Sequence, residues 1–487
     1  MSYTAVPCTT ANFEARGSFR RHLSKSPRLA KSPGLLQLLI LTLPLAHPVL
    51  SHATFATNVP RGEKMVQVPV PGRNPERCVI PRHVANGRYT DHDFKEESDL
   101  CGIDENLNAA VCPKTNSTNP GLDLYSLPPG LSPAQVAGAR CKSAGAKKIA
   151  KYKLSTSCSY TPSILGYYHL SRMLGGIADV PPAVLRTYDR LNHIALGHIA
   201  LAETSPGTLI HQTWAALMAQ LTAGSQASRR DLLLSDDFTQ SYGALSVNPR
   251  GESFYTEFFN GGANNVGRAI NFRDRNPTVA LLARTDDVSG LIGRTFTVQN
   301  VQRMVQLRDA SDLIVIDTLM NQQDRFGNVH YQNTYYYRDT ADPNPDGSPK
   351  LKSSRKLTPE QVAHLGAVQV KTLLLKDNDC GVSKTNVARQ AGLIDRVAHI
   401  DPDTYRRLLQ FDATADSPTT RDFFLQELLF TSADYTSVRN NLKEVVSKLH
   451  QGCARGRVKL DLDLQAHFSG QPLKPPGCDL PDATVRP

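Results

Sequence analysis

Apolar positions recur at helical spacing most clearly in residues 312–333, where Leu313, Ile316, Leu319 and Met320 predict a buried helix running into Gln322 and Gln323. Asp324 falls where that helix gives way to a loop. Phe326-Gly327-Asn328 has turn chemistry, and His330 to Tyr337 reads as a strand. Further upstream, Ile149, Tyr152 and Leu154 predict a short strand over 147–155 that carries Lys153. After Pro162, residues 163–174 place Ile164, Tyr167, Tyr168 and Met173 at helical spacing and stop at Gly175-Gly176. Val180-Pro181-Pro182 is extended, because proline restricts the residue before it. Residues 186–234 read as mostly helical. Residues 241–276, with five glycines around an aromatic run at 254–259, predict a mobile surface loop. A second strand is predicted over 367–377, after a polar insertion at 339–356 expected to be an exposed hairpin loop. From Pro402 onward the amphipathic pattern predicts several helices. Residues 57–140 are rich in Pro, Asn, Gly and Cys with little periodicity, and read as a loop-rich extension rather than a core of its own.

At 487 residues the chain exceeds the usual size of a single core. The composition divides it into a leader (1–56), a Cys-rich N-terminal extension (57–140), a main domain (141–452) and a Pro-rich tail (453–487). In the leader, Arg16, Arg20, Arg21, Lys25, Arg28 and Lys31 precede the apolar run 35–50, which small-residue exits at 51–53 or 54–56 follow. This is the pattern of a secretory signal, with an uncleaved signal anchor as the alternative. No later segment is apolar enough to span. Without Cys8 of the leader, the nine cysteines become an even eight with no C-x-x-C pair. That count favours disulfides in an exported protein over a zinc site, and leaves the pairing open. Secretion, a periplasm or a secretory-pathway lumen are all compatible. Asn116-Ser117-Thr118 is a glycosylation sequon.

The net charge of +10 is diffuse and concentrated partly in the leader. With no basic helix and no RNA-binding aromatic motif, nucleic acid is excluded as a partner, whereas a nucleotide or another acidic ligand suits the balance. His193, His198 and His211, spaced five and thirteen apart, lack the i, i+4 spacing of a metal pair. The absence of G-x-S-x-G and H-E-x-x-H excludes the common hydrolase patterns.

What remains is an aspartate at a helix-to-loop junction, Asp324, with Asn328 four residues on and Lys376-Asp377-Asn378-Asp379 ending a later strand. In phosphoryl transfer one Asp accepts or orients the hydroxyl proton, while an Asn and a second Asp hold divalent ions that bridge the phosphates. Lys153 would grip those phosphates as a point charge. Taken singly, Asp324 reads equally as a helix-ending cap or a partner of Arg325, and Lys153 as an ordinary strand-edge lysine.

Four pieces occur in order: Tyr168-His169-Leu170-Ser171-Arg172-Met173-Leu174 followed by Val180-Pro181-Pro182; Asp317-Thr318-Leu319-Met320 through Asp324-Arg325; Lys376-Asp377-Asn378; and Ile400 through Thr404-Tyr405-Arg406-Arg407-Leu408. Together, over roughly residues 145–415, they resemble the secretory-pathway kinases of the Golgi casein kinase and Four-jointed family. The resemblance implies an α+β, two-lobed, atypical protein-kinase-like fold with a helical C-lobe and the disulfide-stapled extension in front of it. It implies ATP with Mn²⁺ or Mg²⁺, and transfer of the γ-phosphate to Ser, Thr or a sugar hydroxyl of an exported protein or glycan acceptor. It makes Asp324 the catalytic aspartate, Asp377 a metal ligand and Lys153 the nucleotide-binding lysine. Two departures stand out. The helix glutamate that partners the lysine in that family corresponds to Ile164, so the ion pair is rebuilt elsewhere or absent. The second metal ligand would fall on Val329, so Asn328 or His330 must substitute, and Asn328 is the better oxygen donor. Asp379-Cys380-Gly381 also resembles the D-F-G triplet of ordinary kinases, so Asp379 competes with Asp377. A kinase-fold nucleotide-binding or protein-interaction module of weak activity is the alternative.

Overall fold

The computed structural model describes residues 63–227, 230–383, 385–471 and 477–479. The leader lies outside the described residues, as do residues 472–476 and 480–487 of the tail. Seven strands form one antiparallel sheet: β1 (Lys64–Val68), β2 (Glu76–Ile80), β3 (Ala109–Pro113), β4 (Leu122–Ser126), β5 (Lys147–Lys153), β6 (Ala183–Asp189) and β7 (Gln240–Val247), in the order β1-β2-β6-β7-β5-β4-β3. A strand's side chains alternate between faces. In β5 that alternation sends Ala150 and Tyr152, followed by Leu154, into an apolar cluster with Trp214, Val184 and Leu245. It leaves Lys151 and Lys153 together on the other face.

Helices cover both faces. α1 (Asp91–Cys101) and α2 (Thr161–Met173) lie on one side, and α3 (Arg190–Glu203) with α4 (Leu209–Ala223) on the other. The helical body below is built around α6 (Val298–Leu319), preceded by α5 (Asn265–Arg275) and followed by α7 (Pro402–Thr414) and α8 (Ser432–Ala454). A second antiparallel sheet packs on α6: β8 (Ser253–Phe254), β9 (His330–Asp339), β10 (Lys350–Ser354) and β11 (Val368–Leu374), with β9 pairing to the other three. The architecture is α+β, a sheet-bearing lobe over a mostly helical one. Among the described residues no helix is long and apolar enough to cross a membrane.

Three stretches hold more regular structure than the sequence pattern predicts. Residues 63–140 contribute four strands and α1; these strands are five residues each, too short for alternation to show. The stretch 241–276, expected to be a mobile loop, contains most of β7, β8 and α5. Within the 339–356 insertion, β10 closes a regular hairpin on β9. The cysteines pair as Cys78–Cys101, Cys112–Cys141, Cys158–Cys380 and Cys453–Cys478.

Buried polar contacts dock the extension on α2. Arg172 donates to both oxygens of Asp93, from Nε at 3.0 Å and Nη2 at 2.7 Å, and also to the Val180 carbonyl at 2.9 Å. The Tyr168 hydroxyl donates to Glu97 at 2.7 Å, and His83 meets the same carboxylate. Arg172→Met leaves Asp93 buried without its cation, a loss of about 3–5 kcal/mol. Urea unfolding should show that loss, and Arg172→Met with Asp93→Leu should recover part of it. An unchanged midpoint in the single variant would show that the pair does not fasten the extension.

Candidate active site

The chain leaves β11 through Leu375, whose N–H donates to the Ala178 carbonyl at 3.0 Å, and Lys376, paired with Glu252. Asp377 then takes left-handed backbone angles (φ 55°), which aspartate tolerates better than most residues, and a tight turn carries Asn378 to Cys380. This turn meets the lysine face of β5. Lys153 Nζ lies 2.7 Å from Asp379 Oδ2 and 3.8 Å from Asp377 Oδ1, and Lys151 Nζ lies 3.6 Å from Asp377 Oδ1. Burial works against ionisation of Asp377, but Lys151, Lys153, Lys376 and Lys114 together hold its carboxyl well below the usual carboxylate range. The same contest, with Lys153 the main cation, lowers Asp379. Ile164 lines the cavity beside these groups, so no acid of α2 reaches Lys153. The lysine's partner comes from the turn instead.

Asp324 reaches this place through its neighbour. The buried Arg325 guanidinium donates to Asp317 at 2.9 and 3.2 Å, to the Lys376 carbonyl at 2.7 Å and to Asn378 Oδ1 at 2.6 Å. Tyr167 adds a hydrogen bond to Asp317 at 2.7 Å. Arg325 thus belongs to Asp317 rather than to Asp324, and it ties the loop after α6 to the turn after β11. Gln323 N–H donates to the Cys380 carbonyl at 3.2 Å, and the disulfide Cys158–Cys380 ties the turn to the segment after β5. Burial and the negative charge of nearby Asp379 push the Asp324 carboxyl up to about 6, with Arg268 and Asn265 opposing.

Lys153, Asp377 and Asp379 therefore line one cleft, and Asp324 lies within electrostatic reach of Asp379. Asn328 is engaged locally instead. Its carboxamide nitrogen donates to the Asp324 carbonyl at 3.1 Å, closing the turn that His330 Nδ1 also contacts, at the Asn328 carbonyl. Two further cleft residues are not among those the sequence pattern singles out. Lys151 was legible in principle, since a strand that presents Lys153 presents Lys151 with it. Asn119, 5% exposed, donates from Nδ2 to Asp379 Oδ2 at 3.4 Å, and no local pattern announces it.

Among the described residues no group of three or more His, Cys, Asp or Glu is placed to hold a metal. Mg²⁺-like cations in phosphate sites need only one or two carboxylates plus phosphate oxygens and water. Asp377 and Asp379 meet that requirement, and the Asn119 carboxamide next to them presents Nδ2 to Asp379 and keeps a buried Oδ1 with no hydrogen-bond partner. The donor set fits a cation that arrives with phosphates. Between the ammonium groups and carboxylates the free space is ≈ 30 Å³, and a cavity of ≈ 950 Å³ adjoins it across Pro181, Val247 and Pro249.

No protein-family model and no curated protein matches the chain. Solved structures similar to it include hydra Fam20 with sugar, at 11% identity and a TM-score of 0.39, covering 77% of this chain and 95% of that one. The Golgi casein kinase with Mn/ADP bound is similar at 11% identity and a TM-score of 0.38, covering 74% and 76%. A further structure of the Golgi casein kinase is similar at 13% identity and a TM-score of 0.39, covering 76% and 78%. These are likenesses in the course of the chain, and the chemistry rests on the side chains themselves.

Gly381 follows the disulfide in the Asp379 turn, and a Cβ there would lie 2.4 Å from Ser163 Oγ and 2.8 Å from the Tyr167 ring. Gly381→Ala should therefore cost about 1–3 kcal/mol by overpacking, read as a lower midpoint in urea. A variant as stable as wild type would show that the turn is not held tightly against α2.

Proposed function

We propose that this chain is an exported kinase-fold phosphotransferase that binds a nucleoside triphosphate and passes its γ-phosphoryl group to a hydroxyl of an exported protein or glycan. The observation that carries this reading is the Lys153–Asp379 pair with Asp324, a carboxyl of raised proton affinity, within electrostatic reach of Asp379. The four disulfides support an oxidising compartment.

In this reading Lys153 and Lys151 take phosphate oxygens as hydrogen-bonded cations. A divalent ion such as Mn²⁺ or Mg²⁺, bound with the nucleotide at Asp377 and Asp379, neutralises charge on the phosphates. Asp324 accepts the proton of the acceptor O–H as that oxygen bonds to the γ-phosphorus and the bond to the bridging oxygen breaks, releasing the nucleoside diphosphate. Arg325 holds Asp324 and the Asp377–Asp379 turn in register. A base must be deprotonated to act, so transfer rises with pH through the region near 6 and is lost below it.

A second reading has its own support. Ile164, where the family resemblance implies a glutamate, suits a kinase-fold module that binds nucleotide or a protein partner with little turnover. Asp324→Asn decides between them. Phosphotransferase activity requires a fall in labelled-phosphate transfer of about 10²–10⁴-fold, loss of the acid limb near pH 6, and unchanged nucleotide affinity by calorimetry. Transfer at the wild-type rate overturns the role of Asp324, and nucleotide binding by a wild-type protein that transfers to no casein-like or glycan acceptor selects the second reading.

A further inference from the structure

Residues 114–121 join β3 to β4, the strand beside β5, and so pass over the edge of the lysine face. The loop is fixed from behind by two neighbouring residues of α4: Trp214 Nε1–H donates to the Lys114 carbonyl at 2.8 Å and the Thr213 hydroxyl to the Thr118 carbonyl at 3.0 Å. Held in this way, the loop delivers Asn119 into the cleft. Its Nδ2 points at Asp379 Oδ2 (3.4 Å) and at the sulfurs of Cys158 (3.2 Å) and Cys380 (3.9 Å). Its Oδ1, the acceptor end of the group, is buried with no partner.

The oxygen and nitrogen of a carboxamide exchange places by a half-turn of the group. After that turn Oδ1 faces the Asp379 carboxylate, an oxygen opposite an oxygen, which is repulsive unless a cation lies between them. Two oxygens that share a hard divalent ion at about 2.1–2.5 Å sit about 3.0–3.5 Å apart when they are neighbours in its shell. The 3.4 Å separation falls in that range. A cation is already drawn to this place, since the Lys153 ammonium lies against Asp379 and near Asp377.

We propose that Asn119 is an oxygen ligand, shared with Asp379, for the divalent cation that accompanies the phosphates, supplied by the β3–β4 loop. The assignment rests on the nucleotide reading of the cleft and deepens it. It fills from 205 residues upstream of Asp324 the role that the sequence assigns to Asn328.

The test follows uptake of free Mn²⁺ by electron paramagnetic resonance, with and without ADP, on the secreted protein and on Asn119→Ala, Asn119→Asp and Asn116→Gln. Asn116 is an exposed residue of the same loop and serves as the control. Asn119→Ala should weaken Mn²⁺ at least about tenfold, the loss that even an outer-shell partner produces. Asn119→Asp should tighten it, and Asn116→Gln should leave it unchanged. Thiol titration of each variant checks that Cys158–Cys380 is intact. Equal Mn²⁺ affinity in wild type, Asn119→Ala and Asn119→Asp overturns the assignment while leaving the nucleotide reading in place, as does ADP binding by wild type with no Mn²⁺ uptake. Wild-type protein that takes up neither ADP nor Mn²⁺ overturns both. Mn²⁺ uptake without ADP binding overturns the nucleotide reading alone, and the Asn119 variants still decide the ligand.

Discussion

One buried guanidinium holds together two loops more than fifty residues apart, the one after α6 and the one after β11. Arg325 is buried, so its charge had to be paired on folding, and the pairing uses groups from both sides: Asp317 at the end of α6, and Asn378 and the Lys376 carbonyl in the turn after β11. A buried ion pair contributes little net stability against an apolar equivalent, but losing one partner is severe. That asymmetry suits a part whose function is registration. Asp324 precedes Arg325 and Asp377 precedes Asn378, so fixing the second residue of each pair fixes the first against the other. The disulfide from Cys158 to Cys380 and the contact of Gly381 with α2 hold the same turn from the opposite side.

A consequence is that the lysine of β5 needs no acid on α2. Where a helix supplies that acid, movement of the helix can make and break the ion pair. Here the acid is on the turn, two residues past Asp377, and Ile164 seals the helix side with an apolar surface. α2 itself is held by Arg172–Asp93 and Tyr168–Glu97 on its outer side, so the extension stabilises the helix while the turn serves the lysine. Support of the helix and pairing of the lysine are thereby separated.

The fold was legible where hydrophobic period and length agreed. α6 showed through Leu313, Ile316 and Leu319, and α2 through Ile164, Tyr167 and Tyr168. β5 and β9 showed through alternation and aromatic content. The extension was not legible because its five-residue strands draw their stability from neighbours in the sheet rather than from a pattern of their own. α5, Asn265–Arg275, was hidden by its polarity: only Ala269 and Phe272 are buried, and the glycines before it read as loop. Within the cleft, residues at the ends of predicted elements were visible, because a strand or helix end fixes where they emerge. Asn119 was not, since its meeting with Asp379 joins positions 260 residues apart and depends on the sheet order β5-β4-β3.

Charge explains why the cleft is nearly closed as it stands. Lys376 is shared between Glu252 and Asp377, and Lys114, Lys151 and Lys153 also act on Asp377 and Asp379. Burial, with Lys153 and Lys151 nearby, brings the Lys114 amine down to about 7. The Lys151 and Lys153 ammonium groups lie against the carboxylates and leave little space between them. Under the proposed nucleotide reading, polyphosphate oxygens would draw the lysines away from Asp377 and Asp379 and open those carboxylates to a divalent ion. On that reading anion and cation would enter as a unit, each removing the obstacle to the other, because neither alone balances a site whose own charges already nearly cancel.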